Sequence, residues 1–231
     1  MKHFVLYLFL VIISISIFFS ISYAQEVNPY MHFSIFGGAA FPVGDFSSTT
    51  AIQSGYANTG YCAMIEADKN ISQDIYWTSS ASLAINEIDQ NGIENSSGGI
   101  IGGLEMPVNS SGNYTTTWIM TGFGFELTVS PSIKIYGTGQ IGLLISSYPS
   151  ISASQNGLFI TVNSKTGTSF ADQLGSGIII NKINLCLRYY AGDPFYKFTI
   201  NSSTENLTFT NNLGRRDFPI TLLLFMIGYN F

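Results

Sequence analysis

The chain has 231 residues, 46% of them hydrophobic, 14% aromatic and only 10% charged, with a net charge of −5. So few charges and so many aromatic residues exclude a disordered chain. The charged share also falls well below the value of about 25% that is usual for soluble domains. Arg215–Arg216 is the one adjacent pair of basic residues, so the sequence predicts no nucleic-acid partner.

The first 24 residues have the pattern of a secretory signal peptide. One lysine precedes an apolar run from Phe4 to about Ile21, and the small residues Ser22 and Ala24 follow at the expected cleavage site. We therefore expect a cleaved signal peptide at residues 1–24 and an exported domain at 25–231. A retained transmembrane anchor is the alternative, because the apolar run is long enough to cross a bilayer.

Eight later segments alternate apolar and polar residues with the period of two that marks strands. They lie at about 30–40, 60–68, 75–86, 117–129, 133–145, 170–180, 185–192 and 221–231. Tight turns near 69–71, 130–132 and 181–184 alternate with long connections near 42–56, 88–114, 148–168 and 199–216. After residue 25 no apolar run is long enough for a membrane helix. The pattern predicts an all-β fold, an eight-stranded antiparallel transmembrane up-and-down β-barrel.

One apolar face of each predicted strand should point at lipid, because a sheet in a membrane must close on itself and expose its apolar residues. The predicted lipid-facing residues are Phe33, Ile35, Trp77, Leu83, Phe123, Phe125, Ile135, Leu143, Leu187, Tyr189, Phe225, Ile227, Tyr229 and Phe231. The last strand should pair with the first to close the barrel.

The opposite face carries polar residues, and eight strands enclose a lumen that side chains fill. The predicted polar network in the lumen consists of Glu66, Asp74, Glu126, Lys134, Tyr136, Gln140 and Arg188. Glu126 and Lys134 flank the turn at 130–132, so their side chains should meet diagonally. Charges buried there must be paired. The network is therefore interpreted as a polar plug, with a gated ion path as the alternative.

Few residues suggest chemistry. His32 is the single histidine after residue 25, and Cys62 and Cys186 lie on non-neighbouring strands, too far apart in the barrel wall for an expected disulfide. One histidine and two cysteines fall short of a zinc site. The run Gly137–Gly142 matches G-x-G-x-x-G by spacing, but no helix follows, as a dinucleotide site requires. We predict no catalytic residues, no metal and no cofactor.

Three stretches resemble the small eight-stranded outer-membrane β-barrel proteins of the OmpA/OmpX type, in the version found in Bacteroidetes-like bacteria. They are "FGGAAFPVGDF" at 36–46, "LRYYAG" at 187–192 and the terminal "GYNF" at 228–231. The resemblance implies a location in the bacterial outer membrane, with outer-membrane lipid around the barrel. It also implies that Gly228, Tyr229 and Phe231 form a signal read by the barrel-assembly machinery.

The expected role is structural, or surface binding through the long external loops at 88–114 and 199–216. The first of these loops holds "GGIIGGLEMPV" at 98–108, which is apolar enough for an extra hairpin or contact patch. A narrow channel or an accessory barrel for transport or secretion is the first alternative. A soluble secreted ligand-binding barrel, with its apolar face inward, is the second, and an enzyme is the weakest.

Overall fold

The computed structural model describes residues 31–49, 54–95, 108–155, 158–164, 166–204 and 207–231, so the predicted signal peptide lies outside the described residues. The strands are β1 (Met31–Pro42), β2 (Gly60–Asn70), β3 (Ile75–Asn86), β4 (Val108–Ser111), β5 (Tyr114–Ser130), β6 (Ile133–Ser147), β7 (Ser150–Gln155), β8 (Leu158–Ser164), β9 (Gly167–Ile180), β10 (Ile183–Gly192), β11 (Phe195–Thr204), β12 (Leu207–Asp217) and β13 (Ile220–Asn230). A 3-10 turn at Gly44–Phe46 and a short helix, α1 (Gln90–Asn95), lie between strands. In the described part of the chain, no helix is both long and apolar enough to cross a membrane.

Eight of these strands form the closed barrel that the alternation predicts. Around the ring the order is β1, β2, β3, β5, β6, β9, β10 and β13, and every neighbouring pair is antiparallel. The ring closes where Ser34 to Pro42 of β1 pair with Asn230 to Leu222 of β13. Closure leaves no barrel strand with an unpaired edge, which is the condition for a sheet to cross lipid.

The tight turns gather at one rim of the barrel, as predicted, but the first is displaced along the chain and the third is shorter than predicted. Lys69 and Asn70 still pair with Trp77 and Tyr76, so the first turn occupies residues 71–74. The third turn is only 181–182, and Asn181 adopts a φ of 58° there. Asparagine tolerates this left-handed conformation because its short polar side chain can bond locally.

The outer wall of the barrel is apolar. Nearly all the residues predicted to face lipid are exposed, and Phe123, Phe125, Ile227 and Phe231 are the most exposed of them. Trp77 is half-buried instead. Such an extensive apolar surface would be unstable in water, and lipid is the solvent that matches it.

Five further strands continue the wall past the rim opposite the tight turns. Phe195 of β11 pairs with Thr168 of β9, β11 pairs with β8 and with β12, β8 pairs with β7, and β7 pairs with β4. We call β4, β7, β8, β11 and β12 the rim sheet. The connections predicted at 148–168 and 199–216 are therefore largely strand. Most of the hairpin predicted at 98–108 lies outside the described residues.

Candidate functional site

A layer of hydrogen-bonded polar side chains closes the lumen just above the tight turns. The Tyr136 hydroxyl donates to the Asn184 side-chain oxygen at 2.8 Å, and the Ser34 hydroxyl donates to the Asn230 side-chain oxygen at 3.0 Å. The Asn184 amide donates to the same Asn230 oxygen at 3.5 Å. Tyr136 and Asn184 are buried. These bonds offset the burial of polar groups that would cost about 1–3 kcal/mol each if left unpaired.

An ion pair between Glu66 on β2 and Arg188 on β10 crosses the lumen above this layer. One guanidinium nitrogen of Arg188 donates to both carboxylate oxygens of Glu66, at 2.8 and 2.9 Å. Another guanidinium nitrogen donates to the Thr138 hydroxyl, and the Tyr136 ring centre lies 5.6 Å from the guanidinium carbon. The exposed fraction is 0% for the Arg188 side chain and 3% for that of Glu66, so each charge depends on the other.

Gly175 on β9 provides the space that the Arg188 side chain occupies. A Cβ atom at Gly175 would collide with the Arg188 side chain, the Gln173 amide and the Thr138 hydroxyl. The register pairs Gly175 with Thr138 on one side and with Arg188 on the other. Gly175 therefore belongs to the ion-pair site, although the alternation of residues along one strand gives no sign of it.

Gln140 organises a second polar group at a similar depth. Its side-chain oxygen accepts a hydrogen bond from Ser80 at 2.9 Å, and its amide nitrogen donates to Thr78 at 3.0 Å. The Gln173 amide donates to Thr138 at 3.3 Å and so links this region to the ion pair. Of these residues the sequence predicts only Gln140. The other residues also lie at inward-facing positions of their strands, and this alternation is the sequence signal that could identify them.

Glu126 and Lys134 form an ion pair beside the 131–132 turn, with 2.7 Å between the Lys134 Nζ and a carboxylate oxygen. Glu126 is in register with Tyr136 and Thr128 with Lys134, so the contact is the predicted diagonal one. The Lys134 side chain is 43% exposed and that of Glu126 is 24% exposed. This pair lies at the rim, apart from the sealed pair of Glu66 and Arg188.

Asp74 lies elsewhere than predicted. It ends the 71–74 turn with an exposed side chain, and its backbone carbonyl accepts a hydrogen bond from the Glu126 amide at 2.8 Å. The expectation that Asp74 faces the lumen is wrong because β2 continues to Asn70 and shifts the turn. The carboxylate that shares the inward face of β2 with Glu66 is Asp68, two residues further along and half-buried.

The upper lumen is filled by apolar and aromatic side chains. The Trp118 and Tyr190 ring centres lie 5.0 Å apart, and the Tyr190 hydroxyl donates to the Met64 sulfur at 3.5 Å. Fully buried neighbours include Leu144, Leu222 and Leu224. An ion moving along the lumen would have to displace these side chains after breaking the polar layers below them.

A cluster of six aromatic residues covers the mouth of the barrel beneath the rim sheet. The Tyr148 ring centre lies 5.0, 5.8, 5.3 and 5.7 Å from those of Tyr114, Tyr196, Phe198 and Phe218, and Phe46 lies 5.0 Å from Tyr114. We call these six residues the aromatic cap. The Tyr196 hydroxyl contacts the Ser146 hydroxyl at 2.6 Å. Burial raises the pKa of Tyr148 and of Tyr196, so both phenols stay neutral.

The connection between β1 and β2 folds back over the mouth and adds to the aromatic cap. The Tyr114 hydroxyl donates to the Gly55 carbonyl at 2.8 Å. The Asn86 side-chain amide donates to the carbonyls of Ala40 and Asn58, at 3.1 and 2.9 Å. These buried bonds tie the connection to β1, β3 and β5, so the lumen is closed at its outer end as well.

The residues considered for chemistry are dispersed. In the part of the chain that the structure describes, no group of three or more His, Cys, Asp or Glu residues could hold a metal ion. Cys62 and Cys186 are both buried free thiols. His32 is exposed near the rim of tight turns. Gly137–Gly142 lies inside β6 rather than before a helix, so it forms no phosphate-binding turn.

The predicted assembly residues lie at the closing seam. Gly228 pairs with Phe36, and the Phe231 amide donates to the Phe33 carbonyl at 2.9 Å. The Tyr229 and Phe231 rings are exposed on the outer wall with centres 5.3 Å apart. The arrangement presents two adjacent aromatic rings on one face of the last strand.

Comparison with known proteins gives structural matches without sequence matches. No family model and no curated protein sequence matches the chain. The outer membrane protein OprG from Pseudomonas aeruginosa superimposes with a TM-score of 0.50 at 14% identity, over 88% of this chain and 97% of OprG. A major outer membrane protein from Thermus thermophilus has a TM-score of 0.51 at 10% identity, over 87% of this chain and 100% of that one.

At such low identity these similarities show a shared fold, that of small bacterial outer-membrane barrels. The apolar outer wall is the independent observation that requires lipid around the barrel. The chain is therefore an integral β-barrel of the bacterial outer membrane. The soluble ligand-binding alternative is wrong, because it requires the apolar face of the strands to point inward.

Proposed function

We propose that the barrel is a sealed anchor that presents the rim sheet at the cell surface as a binding element. Short turns face the periplasm in barrels of this kind, and long connections face outward. The rim sheet extends from the long-connection end, so this polarity puts it outside the cell. The observation that carries the proposal is that side chains fill the lumen from the tight turns to the aromatic cap.

The filled lumen argues against the channel alternative. The Glu66–Arg188 pair, the Trp118–Tyr190 contact and the aromatic cap lie one above another, and each holds fully buried side chains. Reconstitution in planar bilayers tests this directly. The proposal expects no single-channel conductance, whereas steady conductance steps from the purified protein would favour the channel.

The rim sheet is suited to binding because it has a packed apolar backing. Ile151, Ala153, Ile160 and Val162 of β7 and β8 are buried on the side that faces the aromatic cap. A sheet held by such packing presents its other face with little freedom to rearrange, and rigid presentation reduces the entropy lost on binding. An extracellular partner that binds the connection at 199–216, as the sequence predicts, would contact this sheet.

Cysteine labelling on intact cells tests the exposure of the rim sheet. Ser154 on β7 and Ser132 in a tight turn are both exposed, so Ser154→Cys and Ser132→Cys form a matched pair. A membrane-impermeant maleimide should label Ser154→Cys on intact cells, and Ser132→Cys only after the outer membrane is permeabilised. The native thiols are buried, so the unsubstituted protein should stay unlabelled.

Adhesion then tests binding. Cells producing Ser154→Cys should attach to a surface coated with extracellular polymer from the source bacterium, and a polyethylene-glycol maleimide on that cysteine should prevent attachment. Equal attachment with and without the adduct would contradict a binding role for the rim sheet. We propose no catalytic activity for the protein.

For biogenesis, we propose that the barrel-assembly machinery recognises the last strand through Gly228, Tyr229 and Phe231. The support for this is the pair of aromatic rings that β13 presents on its outer face. Outer-membrane lipid would then surround the completed wall.

A further inference from the structure

The outer face of the rim sheet has an unusual composition. The outward positions of β7, β8 and β11 from the tip to the middle of the sheet are Ser150, Ser152, Ser154, Phe159, Thr161, Asn163, Thr199, Asn201 and Ser203. Eight of these nine carry a hydroxyl or an amide, the ninth is phenylalanine, and none is charged; the exposed Lys197 of β11 continues the same face towards the barrel. About a quarter to a third of a protein surface is usually charged, so this face departs from an ordinary solvated one.

The side chains of this face are aligned by the strand register. Ser152 pairs with Thr161 and Thr161 with Asn201, which makes one row across three strands. Ser154, Phe159 and Ser203 form the next row towards the tip. Neighbouring strands are about 4.8 Å apart, and like-facing residues along a strand about 6.7 Å apart. The face is thus a regular array of hydrogen-bonding groups.

Short side chains make this array ready to bind. Serine, threonine and asparagine lose less rotamer freedom on ordering than lysine, arginine or glutamate, and the branched Cβ of Thr161 further restricts its rotation. The alternate residues, among them Ile151 and Val162, are buried against the aromatic cap and hold the strands in place. Few side chains would therefore lose conformational freedom when a ligand binds.

The chemistry of the array selects a class of ligand. An anionic polymer or a nucleic acid would need basic side chains, and a protein interface normally has a core of several aromatic and apolar residues. The nine described positions have neither, and the exposed Lys197 of β11 lies at the barrel end of the face, beyond Thr199. Hydroxyl and amide groups in rows match the many hydroxyls of an uncharged sugar chain. The Phe159 side chain is 56% exposed beside them, a ring on which the C–H face of a sugar can stack.

We propose that the outer face of the rim sheet binds a neutral polysaccharide, with Asn201, Thr161 and Ser152 bonding to sugar hydroxyls and Phe159 stacking on a sugar ring. This inference rests on the proposed role of the rim sheet as a surface-binding element and names its ligand class. Because the nine positions and the ligand carry no charge, salt should have little effect on the interaction.

The test uses the full-length protein in lipid nanodiscs, immobilised for biolayer interferometry. The probes are three neutral polysaccharides, dextran, mannan and laminarin, and the anionic polysaccharide alginate. We expect at least one neutral polymer to bind and alginate not to bind. Phe159→Ala and Asn201→Ala should each weaken binding roughly tenfold. Asn113→Ala, at an exposed asparagine just before β5, is the matched control and should bind as the unsubstituted protein does.

The outcomes are separable. Failure of all three neutral polymers to bind, binding of alginate as tight as theirs, or binding unchanged in both Phe159→Ala and Asn201→Ala would overturn the inference. Each variant must keep the heat-modifiable electrophoretic mobility of a folded barrel to be scored, and Thr161→Ala replaces any variant that does not. If the neutral polymers fail while the maleimide adduct still blocks adhesion, the ligand class is wrong and the binding role stands. If the adduct has no effect, the binding role itself fails.

Discussion

Glu66 and Arg188 meet across the lumen although β1 and β13 separate their strands in the wall. The contact therefore crosses the interior of the barrel and does not join neighbouring strands of the sheet. Its two charges are excluded from solvent. The pair links β2 to β10, the strand that neighbours the last strand, β13. Removing one partner should destabilise the barrel as a whole.

Glu66→Gln should lower the free energy of unfolding by about 3–5 kcal/mol, because it leaves the Arg188 charge buried without a counter-charge. Guanidinium unfolding of the protein in lipid vesicles measures the change. Glu126→Ala is the control at the partly exposed rim pair, and it should lower the free energy by at most about 1 kcal/mol. Equal losses in the two variants would show that burial of the lumen pair adds nothing.

A double substitution separates the electrostatic contribution of the ion pair from the contribution of its side chains to packing. Replacing both charges, with Glu66→Leu and Arg188→Met, should destabilise the barrel less than Glu66→Leu alone, since no unpaired buried charge remains. The same unfolding experiment reads out the double variant and the two single variants, Glu66→Leu and Arg188→Met. A double variant that loses the sum of the two single losses would mean that the residues act independently.

Gly175→Ala should destabilise the barrel by about 1–3 kcal/mol, because the added methyl group collides with Arg188, Gln173 and Thr138 in a filled lumen. Gly139→Ala is the matched control on the outer wall. There the nearest atom to the added Cβ is a Leu174 methyl at 3.8 Å, an ordinary contact, so stability should be unchanged or slightly higher. Similar losses at both positions would point to a general backbone effect.

Tyr148→Ala should loosen the attachment of the rim sheet to the barrel mouth. Tyr148 contacts four of the other five rings of the aromatic cap, and truncating a buried aromatic residue costs about 3–5 kcal/mol. Limited trypsin digestion should then cleave faster after Lys197 on β11, while the barrel keeps its folded mobility. Tyr61→Ala, which removes an exposed ring from the outer wall, should leave the digestion unchanged. Slow cleavage in both variants would refute the role assigned to Tyr148.

Phe231→Ala, or deletion of Phe231, should reduce the amount of folded barrel in the outer membrane. The proposed reason is loss of the aromatic ring that the assembly machinery reads beside Tyr229. Heat-modifiable mobility and membrane yield measure the effect. Phe159→Ala removes a similarly exposed phenylalanine from the rim sheet and should assemble normally. Normal assembly of the Phe231 variants would contradict the proposed signal.

The eight barrel strands could be predicted because each is imposed by a local rule. Residues such as Phe33 and Ile35 face lipid while Ser34 and Phe36 face the lumen, and this alternation is visible in a single strand. The tight turns were predicted less accurately. The sequence predicts the first turn near 69–71, whereas it occupies residues 71–74, and this shift moves Asp74 out of the lumen.

The rim sheet was predicted as loop because its strands are rich in Ser, Thr and Asn, which are common in connections. Ile151 alternates with serines in the sequence, but the apolar surface against which it packs is the aromatic cap, which is assembled from distant segments. Contacts across the lumen were unpredictable for a related reason. The meeting of Glu66 with Arg188 depends on the stagger of all eight strands, which no single segment encodes.

The burial of Cys62 and Cys186 has a consequence for export. Both thiols are buried inside the finished wall, where reagents and the cysteines of other proteins have no access to them. The periplasm is oxidising, so the sulfur atoms are vulnerable only while the unfolded chain is in transit. Rapid pairing of the first and last strands therefore protects the two thiols from disulfide formation with other proteins. Slow assembly would leave time for such cross-links to form.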